Sequence, residues 1–235
     1  MKTSLRIASY NVRKARGLDQ RRNPERTLQV INDLGADIVI LQEADKRLGP
    51  RKAALPRDMI AGETDFTVLE VACNDVSLGW HGNAILVAND VACTDVERLS
   101  LPGLEPRGAV RVDVAIGAGL SLVATHLGLR RRDRRAQLEV INAAVADKEH
   151  VAIAGDFNEW SEHKGLEPLG SRFAVHAPGK TFHAKRPVAA LDRFALRHGV
   201  EVRNAGVSQT DLARRASDHL PIWSDISVPG ATPTC

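Results

Sequence analysis

Short apolar runs separated by polar loops dominate the chain. Runs rich in β-branched residues and close to usual strand length predict strands over 5–12, 38–42, 66–72, 83–88, 109–116, 120–126, 151–156, 191–196, 200–207 and 222–228. Two stretches carry helical periodicity instead. Asn23-Pro24-Glu25 supplies a cap, a proline suited to the first helical position and an early acid; Leu28, Ile31 and Leu34 follow, and Gly35 stops the run. The second begins near Asp133 and continues to about Ala146, with Leu138, Ile141 and Val145 on one stripe. Residues 44–65 show no period and carry Lys46, Arg47, Arg51, Lys52 and Arg57, which predicts a long basic loop. Strands outnumber helices and the helices fall between strand pairs. That order predicts two sheets packed face to face with helices outside, an α/β sandwich.

Composition narrows this picture. A chain of 235 residues without a Pro/Ser linker is expected to form one domain, with an ordered core over about 4–228. Its 43% hydrophobic and 26% charged residues exclude a disordered, collagen-like or coiled-coil protein. No apolar run approaches the roughly 20 residues a bilayer requires, so stable membrane insertion is not expected. Arg6 and Asn11 interrupt any signal-like apolar core near the start. Cys73, Cys93 and Cys235 have no metal-type spacing, which argues against a disulfide framework or zinc site. A reduced, cytoplasmic monomer is the expectation. The net charge of +3 permits an anionic partner without demanding one, and 4% aromatics argues against a stacked aromatic face.

The chemistry lies at the ends of the predicted strands. Asn11, Glu43, His126, Asp156, Asn158, Asp192, Asp218 and His219 form a set of hard oxygen donors with two histidines. Such donors suit Mg²⁺, with Mn²⁺ or Ca²⁺ as substitutes, rather than zinc. Taken singly, Glu43 reads as a loop acid, Gly155-Asp156-Phe157-Asn158 as an Asx turn, and His126 or His219 as a structural histidine. The ordered set changes that reading. His81, His163, His176, His183 and His198 belong to no such pattern and read as surface or structural.

Ser9-Tyr10-Asn11-Val12-Arg13, Leu41-Gln42-Glu43, Gly82-Asn83-Ala84-Ile85-Leu86, Thr125-His126-Leu127, Gly155-Asp156-Phe157-Asn158, Leu191-Asp192-Arg193 and Ser217-Asp218-His219 occur in one order. In that order the chain resembles the endonuclease/exonuclease/phosphatase superfamily over residues 4–228, and within it the deoxyribonuclease and sphingomyelinase branches. The resemblance implies a four-layered α/β sandwich of two packed mixed β-sheets flanked by helices, and Mg²⁺-dependent hydrolysis of phosphoester bonds. It implies that Glu43 is the principal metal ligand, with Asn11 and Asp218 as its neighbours. Asp156 and Asn158 resemble the pair that orients the attacking water and holds the phosphate. His219 resembles the histidine at the scissile phosphate, supported by Asp192; by its chemistry it is the candidate general base or phosphate donor and His126 the candidate general acid, although the two roles can be exchanged. Arg107 and Arg13 resemble phosphate contacts. One departure is from the deoxyribonuclease branch, whose His126 counterpart is usually backed by a carboxylate, where residues 82–86 offer only Asn83.

Three readings of the substrate follow. A DNA endonuclease is the first, since the segment Arg130 to Arg135 and the Arg13, Arg16, Arg21 and Arg22 loop could track a phosphate backbone. The segment Arg130 to Arg135 reads more readily as a solvated helix start, since a mixed-charge run there is usually a solvated face. A phospholipid or phosphoinositide phosphodiesterase or phosphatase is the second; basic loops suit an anionic lipid surface, and residues 76–81 offer one small apolar loop with Trp80. A non-catalytic binding protein is the third.

Overall fold

The computed structural model describes residues 2–161 and 164–230. The strands are β1 (Ser4–Asn11), β2 (Ile38–Gln42), β3 (Phe66–Val68), β4 (Ala84–Ala88), β5 (Cys93–Leu101), β6 (Arg107–Val114), β7 (Leu120–His126), β8 (Val151–Asp156), β9 (Phe173–His176), β10 (Asp192–Arg197), β11 (Glu201–Val207) and β12 (Ile222–Ser227). The helices are α1 (Pro24–Asn32), α2 (Arg57–Glu63), α3 (Arg131–Ala144) and the short α4 (Ala213–Ala216). They assemble as two six-stranded mixed sheets, ordered β11-β12-β1-β2-β4-β3 and β5-β6-β7-β8-β10-β9.

Alternation along each central strand builds the layers. In β1, Leu5 and Ile7 point between the sheets, while Ala8 and Tyr10 point outward beneath α1. Ile38, Ile40, Val110, Val112, Ala152 and Phe194 join the inner layer. Outside the first sheet, Leu28 and Ile31 of α1 and Ile60 of α2 close over Val39 and Leu41. Outside the second, Leu138 and Ile141 of α3 close over Val123 and Ile153. Strands buried on both faces read as continuous apolar runs, which is why β2, β7 and β8 are plain in the sequence. α1 starts as its sequence dictates: the Asn23 side chain accepts the Arg26 N–H at 2.8 Å, and Pro24 occupies the first turn.

Three expectations change. The strand predicted over 66–72 ends at Val68, where the chain turns and the Val71 N–H bonds the Leu69 carbonyl. The stretch 44–65 is not all loop, since α2 occupies its last third and buries only Ile60. β5 and β9 were not expected; both are edge strands, and in β5 only Leu99 and Leu101 are buried, so no apolar alternation marks it. Cys73 and Cys93 are unpaired. Cys235 and His163 lie outside the described residues. No helix among the described residues is long and apolar enough to cross a membrane.

Candidate active site

Register brings the polar groups together. β7 and β8 run parallel with His126 opposite Asp156, and β8 and β10 run antiparallel with Asp192 opposite Asp156. One histidine and two acids therefore stand in a row across three neighbouring strands. Gly155 permits the close pairing: its φ is +151°, and a Cβ there would lie 1.8 Å from the Thr125 carbonyl oxygen. From the other sheet, Asn11 ends β1, and its Nδ2 donates to Asp156 Oδ2 at 3.0 Å, joining the two sheets at their shared end. Asp156 Oδ1 accepts the Asn158 N–H at 2.9 Å, and Asn158 Nδ2 donates to the Leu127 carbonyl. Asn158 and Glu43 hold φ values of +50° and +53°, a conformation that costs non-glycine residues energy and gathers at functional sites.

His219 completes the floor. Its Nδ1 is 2.8 Å from Asp192 Oδ2, and its Nε2 is 3.7 Å from Asp156 Oδ2. His126 Nε2 approaches the same Asp156 oxygen to 3.3 Å. Asp156 is thus flanked by two imidazoles. The Ser217 hydroxyl donates to the Asn11 carbonyl at 2.7 Å and receives the His219 N–H, which seats the histidine. The Phe182 ring lies 5.1 Å from the His219 ring. His126, Asp156, Asp192 and His219 are all buried.

The two histidines differ in charge. Burial alone would lower the pKa of His219, but the carboxylates of Asp192 and Asp156 overcome it and push it up to about 10. His126 lies well below the usual histidine range, chiefly through burial and then through the charges of Arg107, His219 and Lys14. At neutral pH His219 is an imidazolium and His126 a neutral imidazole. Burial also raises Asp156, with the His219 charge opposing the shift and the Asp192 charge adding to it. These charge states are those of the exchanged assignment, with His219 rather than His126 carrying the proton.

The expected metal-ligand set sits beside this floor. Glu43 lies one residue beyond Gln42, which pairs with Asn11. The Lys14 ammonium contacts the Glu43 carboxylate, so this acid already holds positive charge. Asp218 pairs with Arg13 at 3.2 Å, and Asn11 Oδ1 accepts the Arg13 N–H at 3.1 Å. Arg13 is therefore committed to Asp218. Among the described residues, the acid and histidine atoms closest to a metal-like grouping are those of Asp156, Asp192 and His219, within 4.8 Å of one another. That trio is buried and hydrogen-bonded internally. A small hard cation keeps several waters, and of Asn11, Glu43 and Asp218 it is Glu43, with its side chain 28% exposed, that lines the open cleft. The donor chemistry of Asn11 and Glu43 fits such a cation better than the buried trio does.

The cleft is lined by Lys14, Glu43, Arg51, His81, Arg107 and His126. Arg107 opens into it while pairing with Glu105 at 3.1 Å. Asn83 spends its amide N–H groups on the Trp80 and Gly108 carbonyls. Three participants carry no signal in the sequence. Lys14 looks like one more loop cation. His81, read as surface or structural, enters the cleft with Nδ1 3.0 Å from the Pro106 carbonyl and 3.2 Å from Arg51. Phe182 belongs to no motif. The segment Arg130 to Arg135 is partly structural: Arg134 is buried against Glu159 at 2.6 Å, and Arg131 reaches the same acid. Arg193 Nη2 donates to the Glu159 and Ser161 carbonyls, which pins the start of β10 and hence Asp192.

The profile of the Endonuclease/Exonuclease/phosphatase family matches residues 8–219. The chain belongs to that family. It is 31% identical over 167 residues to the uncharacterized protein YbhP of Escherichia coli K12, covering 63% of this chain and 63% of that protein. The chain thus spans under two thirds of that relative's length. Among solved structures, an endonuclease/exonuclease/phosphatase from Beutenbergia cavernae superposes with a TM-score of 0.75 at 20% identity, covering 98% of this chain and 73% of that one. D. rerio TDP2, complexed with a single-strand DNA product, superposes with a TM-score of 0.73 at 20% identity, covering 96% and 99%. These likenesses confirm the four-layered α/β sandwich.

Proposed function

We propose that this family member is a divalent-metal-dependent phosphodiesterase. The observation that carries the reading is the buried row His126–Asp156–Asp192 closed by His219, of which His126 lines a cationic cleft. Asn11 and Glu43, with Asp218 nearby, would hold a hard cation, Mg²⁺ or its substitutes Mn²⁺ and Ca²⁺. When bound, that cation would neutralise phosphate charge and lower the pKa of water.

This chain's own residues supply the rest. Asp192 fixes the His219 ring through Nδ1, which leaves Nε2 to donate to a phosphate oxygen. That bond strengthens as negative charge grows on the phosphate in the transition state. Asp156, ordered by Asn11 and Asn158, is placed to align an attacking water, and neutral His126 beside it can take that water's proton. Asn158 and Arg107 would hold the phosphate, and Arg13 would support it from Asp218.

The test is hydrolysis of bis(p-nitrophenyl) phosphate, with Mg²⁺ and with chelator, by the wild type and His219→Ala. Turnover that needs both metal and His219 is the expected result. Turnover indifferent to chelator or to the substitution would overturn the reading. Charge alone does not choose between a nucleic-acid diester, first suggested by the arginine runs, and a lipid one; plasmid nicking in the same buffer reads the former.

A further inference from the structure

Topology places many loops at one end of the sandwich. β1, β2, β7 and β8 finish there, and β4, β6, β10 and β12 begin there, because each of the latter runs antiparallel to a neighbour of the first group. The cleft opens among these loops. Seven large hydrophobic side chains are exposed among the described residues, and six of them sit on this end: Leu48, Val76, Leu104, Leu129, Trp160 and Val188. The seventh, Val96, lies on the edge strand β5. Leu48 is 85% exposed, Leu104 70%, Leu129 65% and Trp160 62%. Each rides on a loop that also carries a residue of the site. Leu48 follows Glu43, Leu104 precedes Arg107, Leu129 follows His126, and Trp160 follows Asn158.

Cations are interleaved with these tips. Arg47 adjoins Leu48, Arg130 adjoins Leu129, and Lys185 and Arg186 precede Val188. All four are exposed, and among the described residues none forms an ion pair. Arg16, Arg21, Arg22, Lys52, Lys180 and Arg215 are exposed on the loops of this end as well, so exposed cations outnumber the exposed acids there, Asp19, Glu70, Asp75 and Asp211. Separate leucine and tryptophan tips set around a mouth differ from the contiguous apolar patch that a protein partner covers. A nucleic-acid backbone rewards the cations and not the leucines. An anionic bilayer rewards both, since apolar tips enter the boundary below the head groups while Lys and Arg meet lipid phosphates.

We infer that the mouth-bearing end docks on an anionic lipid bilayer, which presents lipid head-group phosphoesters to the cleft. Docking stands on the rim; only the lipid substrate rests on the phosphodiesterase reading above. An apolar strip connects the two. Trp160 stacks edge-on against Phe182 at 6.1 Å, and Phe182 lies against His219, so a path of rings leads from the rim to the catalytic floor. Docking of this kind is peripheral and needs no membrane-spanning segment.

The experiment is co-sedimentation of the full chain with vesicles of phosphatidylglycerol and phosphatidylcholine in equal parts, against vesicles of phosphatidylcholine alone. The wild type should bind the anionic vesicles at least ten-fold more tightly, with Trp fluorescence shifted to the blue as Trp160 leaves water. The triple variant Leu48→Ser/Leu104→Ser/Leu129→Ser should lose binding at least ten-fold while melting at the wild-type temperature. Failure of the wild type to bind anionic vesicles would overturn the proposal, as would undiminished binding by the triple variant. Tight binding of a 30-base-pair duplex by wild type and triple variant alike, without vesicle binding, would assign the face to nucleic acid instead. His219→Ala should bind vesicles as the wild type does, so failed docking and failed hydrolysis are read separately.

Discussion

The floor of the cleft and its rim obey opposite rules. On the floor, His126, Asp156, Asp192 and His219 are buried, and each side chain is held by a partner from another strand or loop. On the rim, leucines and a tryptophan stand in water beside cations without ion-pair partners among the described residues. Burial makes the floor's electrostatics strong and its geometry rigid, because an unpaired polar group there would be costly. Exposure makes the rim cheap to alter and useless for chemistry, but fit for meeting a surface. On the proposed reading, reaction and encounter are therefore separable in this molecule.

The contrast can be broken most sharply at His219. His219→Ala should lower kcat by roughly 10²–10⁴, the scale of lost acid–base catalysis, in a steady-state assay on a soluble diester. A rate within two-fold of wild type would place the chemistry elsewhere. Two glycines extend the comparison to the backbone. Gly155→Ala drives a methyl into the Thr125 carbonyl and should cost roughly 3 kcal/mol or more in a denaturant melt. Gly49→Ala on the rim, at φ +67° with open space around it, should cost only about 1 kcal/mol. Equal costs would mean that the floor is no tighter than the rim.

Glu159 offers a test by pH. Burial pushes its carboxyl upward, but the hydrogen bond from Arg134, helped by Ser161 and Arg131, brings it below the usual value of 4.5. A lowered folded pKa stabilises the fold above 4.5, and that stability is lost as pH falls through the folded value. Glu159→Gln should therefore destabilise by about 1.5–3 kcal/mol at neutral pH, with the gap to wild type closing below pH 4.5. A gap independent of pH would show that the Glu159 charge is not what holds Arg134. The smallest effect belongs to the rim: Leu104→Ser should change unfolding free energy by under about 0.5 kcal/mol.

The central strands were legible because burial on both faces writes itself as an apolar run; β2, β7 and β8 have the predicted bounds. β5 was not, since an exposed edge strand has no apolar face to display. Asn11, His126, Asp156, Asn158, Asp192 and His219 could be picked out as polar groups ending such runs, and the fold gathers them. Lys14 and His81, which line the cleft, and Phe182, which lies against His219, could not, since each comes from a segment whose course no periodicity encodes.

By itself, the sequence determined which residues are apolar on which face, and therefore the sheets, the layers and the strand ends where chemistry could stand. Only the tertiary structure decided the rest. Register set His126 and Asp192 on either side of Asp156, burial and neighbouring charge separated one imidazole from the other, and loop packing left the leucines of the rim in water. Hydrophobic patterning is a local, one-dimensional signal, whereas charge state and exposure depend on every neighbour that folding brings near.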